Sequence, residues 1–167
     1  MYSLKQLHAE IDERVAAVRA GRHDWPCRQG CDSCCRRLAE VPELTEREWL
    51  LLRQGLASLP KDRLQEIGRG IAALAGQSAR PLICPMLDQA AGLCSVYAYR
   101  PLACRTYGFY RQRDRGLYCK EIDARVEGGG LADVVWGNHD AIDRRLRELG
   151  ELRGLPQWFS LAAPAID

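Results

Sequence analysis

The stretch Cys27-Arg28-Gln29-Gly30-Cys31-Asp32-Ser33-Cys34-Cys35 places four thiols within nine residues. Four more cysteines follow at Cys84, Cys94, Cys104 and Cys119. A chain of 167 residues does not need staples to fold, because roughly two-thirds of the unfolded surface is already buried at about 150 residues. The eight thiols therefore need another explanation. In a reducing compartment the usual one is a metal ion or an iron–sulfur cluster.

Working outward from that stretch, the N-terminus reads Met1-Tyr2-Ser3-Leu4-Lys5-Gln6-Leu7-His8-Ala9-Glu10. It carries charges and has no apolar run, unlike a secretory signal. No segment approaches the roughly 20 apolar residues needed to span a bilayer. The expected location is the cytoplasm, with no membrane partner. The formal net charge is only +2, which argues against nucleic acid as a partner and against a zinc-knuckle nucleic-acid module. Arg111, Arg113 and Arg115, with Asp114 among them, read as a solvated loop.

Helical periodicity dominates the rest of the chain. Leu4, Leu7, Ile11, Val15 and Val18 recur at helical spacing, Ser3 and Gln6 form a capping box, and Gly21 stands at the stop. These residues predict a helix over 3–20. Thr45 and Glu48 form a second capping box, opening a helix whose buried face is Trp49, Leu50, Leu52 and Leu56. A third helix is expected over about 60–75, with Leu64, Ile67, Ile71 and Leu74 in register. Gly68 and Gly70 weaken it by close to 1 kcal/mol each and leave room for another backbone to approach. A fourth is expected over about 131–149, with Leu131, Val135, Ile142, Leu146 and Leu149 on its apolar face. The prolines after Leu155 suggest a loosely packed tail. Gly128-Gly129-Gly130 is not a phosphate loop, since no Lys-Ser/Thr follows it.

Between the third and fourth helices the character changes. Residues 84–97 read as two short extended pieces joined by a turn near Gly92. The expected fold is therefore mainly α: a small, single-domain helical bundle over residues 1–153, with a tail at 154–167. Its cysteine-rich core at 24–120, irregular apart from a short β-hairpin, would be organised around a metal centre.

Thiolates are soft ligands that suit zinc and iron–sulfur clusters alike. Cys31-x2-Cys34 has the short bite found in both. Neighbours point about 100° apart on a helix and to opposite faces on a strand, so Cys34 and Cys35 are not expected to face one centre together. Either four cysteines hold one centre, or eight hold two tetrahedral sites or a multinuclear one. Arg100 and Arg105 flank Cys104, where guanidinium groups would offset the negative charge of a thiolate centre, with Tyr97 close by in sequence. His23, four residues before Cys27, is a further candidate ligand. The spacing Cys27-x3-Cys31-x2-Cys34 also occurs in radical SAM enzymes, but this chain is too short for their barrel.

The ordered set Cys27-x3-Cys31-x2-Cys34-Cys35, Cys84-Pro85-Met86-Leu87, Gly92-x-Cys94-x-Val96-Tyr97 and Arg100-Pro101-x-x-Cys104-Arg105 resembles the CxxCxxCC, or YkgJ-like, family of zinc- or iron-chelating proteins. The resemblance covers about residues 24–120. The first gap has three residues where the family's name has two. It implies a bacterial cytoplasmic protein with a bound metal centre. The candidate ligands are Cys27, Cys31, Cys34, Cys35, Cys84, Cys94, Cys104 and Cys119. An iron–sulfur cluster, such as 4Fe-4S, is preferred over zinc. The alternatives are a structural zinc-binding protein and a cluster-dependent oxidoreductase or transferase.

Overall fold

Both capping boxes form. In the computed structural model, which describes residues 2–162, Ser3 caps α1 (Leu4–Arg19), and its hydroxyl accepts from the Gln6 amide. After β1 (Glu43–Leu44), Thr45 caps α2 (Glu46–Ala57) with the Glu48 carboxylate reaching back to the Thr45 amide at 2.9 Å. There follow α3 (Lys61–Leu74), the hairpin β2 (Leu87–Asp88) and β3 (Leu93–Cys94), a 3-10 turn at Tyr97–Tyr99, and α4 (Leu102–Thr106). The remaining elements are β4 (Tyr110–Gln112), β5 (Arg115–Leu117), α5 (Lys120–Glu127), β6 (Gly137–Asn138), α6 (His139–Arg147), β7 (Arg153–Gly154) and α7 (Leu155–Leu161). Helices hold 46% of the residues and strands 11%, so the protein is mainly α with small sheets, as expected.

These elements fall into two compact units. One comprises residues 29–101 and 150–162 of the described chain. Its core joins Leu52 and Leu56 of α2, Ile67, Ile71 and Leu74 of α3, and Leu155 and Trp158 of α7. β1 and β7 pair antiparallel, and the Trp158 indole Nε1 donates to the Leu44 carbonyl at 2.7 Å. The residues after Leu155 are therefore not a loose tail. Leu155 and Trp158 bury an apolar stripe against α2 and α3, and Pro156 sits in the first turn, where no amide is needed. Residues 163–167 of the expected tail lie outside the described part.

Two details of the helices differ from expectation. Leu50 is 48% exposed, because Trp49, Leu52 and Leu56 already fill the inward stripe of α2. Gly68 admits a side chain rather than a backbone, whereas Gly70 faces Pro85, whose backbone Cα would lie 3.6 Å from an added Cβ. A Cβ on Gly68 would lie 3.0 Å from the Phe159 ring, and one on Gly70 3.0 Å from Cβ of Pro85.

The other unit comprises residues 2–28 and 102–149. α1 packs on α4 and α6, burying Leu7, Ile11 and Ile142. A three-stranded sheet runs in the order β5-β4-β6, antiparallel between β4 and β5 and parallel between β4 and β6. The expected solvated loop of Arg111, Arg113 and Arg115 is instead this hairpin: Arg111 and Arg115 lie on strands, and Arg113 takes the turn with φ +52°. The expected helix over 131–149 is shortened to α6. Gly137-Asn138 pairs with β4, and the Asn138 side chain accepts from the Ala141 amide to start the helix there. Val135, expected on an apolar helix face, is 68% exposed.

Candidate metal centre

In the unit of residues 29–101 and 150–162, backbone pairing lays the first cysteine stretch along the second. Leu38 and Leu82 form an antiparallel bridge with both amides bonded at 2.9 Å. The Cys84 amide then donates to the Cys35 carbonyl at 2.7 Å. The hairpin that follows sets Cys94 opposite Leu87, and Gly92 turns it with φ +68°. Residues 33–36 are a single turn, with the Arg36 amide on the Asp32 carbonyl at 3.0 Å. Arg36 ties that turn to the hairpin: its Nε donates to the Asp32 carboxylate at 2.6 Å and its Nη2 to the Gln89 carbonyl at 2.9 Å.

This scaffold gathers four thiols. Cys34 donates a hydrogen bond to the Cys35 sulfur, and with burial this pushes the Cys34 thiol far above its ordinary range. The bond received from Cys34 lowers Cys35, but the Cys35 thiol's own bond to Cys84 and its burial prevail, pushing it up to about 12. Burial also raises Cys94, against the lowering effects of the Val96 amide and the Arg100 guanidinium. The expectation that Cys34 and Cys35 point apart is thus corrected. They lie in an irregular turn, not in a regular helix or strand, and there the sulfurs of neighbours meet. Cys31 precedes the turn and is half-buried.

Two arginines act on this group. Arg100 lies 3.5 Å over the Tyr97 ring and donates from Nε to the Tyr97 carbonyl at 2.9 Å. It thereby stands where its charge favours the Cys94 thiolate. Arg63 of α3 does the same, and donates from Nε and Nη2 to the Ser95 hydroxyl, both at 3.1 Å. Neither Arg63 nor Ser95 was legible as a site residue, since Arg63 precedes Cys94 by 31 positions on an ordinary amphipathic helix.

Cys27, Cys104 and Cys119 belong to the other unit. The Cys27 thiol donates to the Tyr107 carbonyl at 3.3 Å, and the Arg19 guanidinium holds the Cys27 carbonyl. Gly108 packs on that sulfur: at φ +92°, an added Cβ would come within 2.6 Å of it. Cys104 lies on α4, and Cys119 stands at the start of α5. Arg105 pairs with Asp12 at 3.5 Å. His23 is exposed.

Among the described residues, no group of three or more His, Cys, Asp or Glu side chains stands in ligating arrangement, and no disulfide joins any of the eight cysteines. The donor set nevertheless fits a soft cation. The Cys34, Cys35 and Cys84 thiols are linked by hydrogen bonds, Cys94 acts electrostatically on Cys35 and Cys34 on Cys94, and two guanidinium groups favour the anionic form of Cys94. A bound metal deprotonates coordinating thiols outright and removes the cost of crowding them.

Fold and site together define a mainly α protein carrying a cluster of half-buried thiols. A family profile described as a putative zinc- or iron-chelating domain, CxxCxxCC, matches residues 26–123. The chain belongs to the CxxCxxCC family. Comparison with curated proteins found no match, and comparison with solved structures found none either. Among the described residues, no helix is long and apolar enough to cross a membrane.

Proposed function

We propose that the protein holds an iron–sulfur cluster in the cytoplasm, with Cys34, Cys35, Cys84 and Cys94 as its principal thiolates. The observation that carries this reading is the Cys35 thiol, bonded to both Cys34 and Cys84 with Cys94 acting on it. Bound there, the cluster supplies one-electron redox chemistry. Arg63 and Arg100 offset its negative charge, and the Tyr97 ring seats Arg100. Cys31, in the same unit, is a further candidate ligand. Cys27, Cys104 and Cys119, with Arg105, are candidates for a second centre.

Anaerobic purification with metal analysis and an absorption spectrum tests the reading. A brown protein containing iron and acid-labile sulfide supports it. Stoichiometric zinc without iron would replace the cluster with a structural zinc site on the same thiols. A Cys35→Ser/Cys84→Ser variant is expected to lose the metal, and a variant retaining it in full would overturn the ligand assignment.

A further inference from the structure

A separate cavity, of about 440 Å³, lies in the unit of residues 2–28 and 102–149, between α1, β4, β6 and α6. Glu10, Glu13, Arg14 and Ala17 line it from one face of α1, at the three- and four-residue spacings that stack side chains along a helix. Arg145 lines it from α6 and is already committed. It holds the Glu10 carboxylate through two bonds of 2.6 and 2.7 Å and lies 4.9 Å from the Tyr2 ring centre. The Asn138 oxygen is committed as well, capping α6.

Three groups on the wall are not committed in this way. Glu13 and Arg14 form no ion pair among the described residues; Arg14 makes one bond, to the Val135 carbonyl at 3.2 Å. The third is Tyr110, only 2% exposed. Its ring lies so close over β6 that a Cβ on Gly137 would collide with it, so glycine is required there. Its phenol lies among Glu10, Arg14 and Arg145, and no residue of the described chain bonds it. Burial first, then the Glu10 charge, pushes the phenol up to about 12, so it remains a hydrogen-bond donor across the physiological range.

We propose that this cavity binds a free amino acid, its carboxylate held by the Arg14 guanidinium and the Tyr110 hydroxyl and its ammonium by Glu13. The lining has one uncommitted charge of each sign and one phenol hydroxyl carried on a buried ring. A simple anion would meet Glu10 and Glu13, and a simple cation would meet Arg14 and Arg145, whereas a zwitterion matches charges of both signs. The volume lies within the roughly 300–1,000 Å³ usual for small-molecule sites. The site is independent of the metal reading, since none of its lining residues is a cysteine.

The test is a titration of the purified full-length protein, followed by amide chemical shifts, with L-leucine and L-glutamine as probes. The controls are N-acetyl-L-leucine, which lacks the ammonium, and L-leucine methyl ester, which lacks the carboxylate. Saturable shifts at residues 10–17 and 137–145 are expected with at least one amino acid. Both controls should bind at least about tenfold more weakly, the loss expected for one charge-assisted bond. Arg14→Met and Glu13→Gln change half-exposed or exposed positions, and Tyr110→Phe keeps the ring. Each should weaken binding by about tenfold while the remaining shifts stay native. The proposal is overturned if neither probe gives saturable shifts, if either control binds as well as its parent, or if Arg14→Met binds like the wild type.

Discussion

His8 lies on α1 with Nε2 buried and no hydrogen-bond partner among the described residues. Burial, then the Arg105 guanidinium, lower it from its usual 6.5 to about 4, with Asp12 acting in the opposite sense. The fold therefore keeps the ring neutral. Above pH 6.5 neither the folded nor the unfolded chain protonates it, and its contribution is intact. As pH falls from 6.5 to about 4, the unfolded chain takes up a proton that the fold refuses, so stability is lost through that window. The loss is at most about 1.4 kcal/mol per pH unit, and less for a ring that keeps some solvent. A His8→Gln variant should lose less stability between pH 6.5 and 4 than the wild type in urea titrations. Parallel profiles for the two proteins would refute this account. In sequence His8 directly follows Leu7 of the apolar stripe. The guanidinium that shifts it comes from Arg105, 97 residues away, and no local pattern encodes that pairing.

Among the elements, α2 and the 3-10 turn at Tyr97–Tyr99 give the clearest prediction. Gly55 lies inside α2, where alanine would ordinarily gain about 1 kcal/mol. Here an added Cβ would come within 2.6 Å of Cδ2 and 2.7 Å of Cγ of Tyr99, and 3.0 Å from its Cβ. Those atoms lie at the root of the ring and cannot swing aside without moving the turn that leads to Arg100. Overpacking costs about 1–3 kcal/mol, which outweighs the propensity gain. Gly55→Ala should therefore lower the denaturant midpoint, and a higher midpoint would show that the turn yields freely. The helix starts of α1 and α2 were legible, because a capping box is complete within four residues. The start of α6 was missed because apolar spacing extended it back to Leu131. Only the pairing of Gly137 with Tyr110 shows that the chain is still a strand there. Asn138 was the available signal, being a good N-cap.

For the whole molecule, stability should be linked to metal. Anything that binds the folded chain and not the unfolded one stabilises it, by about 2.7 kcal/mol at a hundredfold excess over Kd. Stripping the purified protein with a chelator should lower its Tm, and restoring the metal should raise it again. Neither change is expected in the Cys35→Ser/Cys84→Ser variant. A wild-type Tm indifferent to chelation would count against a metal bound to the folded state. The surface ion pairs offer little competing stabilisation, since partners such as Glu40 and Asp133 are mostly exposed.

At this same scale, the sequence by itself determined the mainly α class, the first three helices, the hairpin turning at Gly92 and the family. Those follow from local spacing: apolar residues at helical period, caps within four residues, cysteines at set intervals. Only the tertiary structure decided that Leu155–Leu161 is a packed helix and that Cys34 and Cys35 touch. It also decided which cysteines share a unit: Cys31, Cys34, Cys35, Cys84 and Cys94 in one, Cys27, Cys104 and Cys119 in the other. The reason is physical. A thiol's neighbours are set by backbone pairing between segments some 50 residues apart, through Leu38 with Leu82 and Cys35 with Cys84, and no spacing within either segment carries that information.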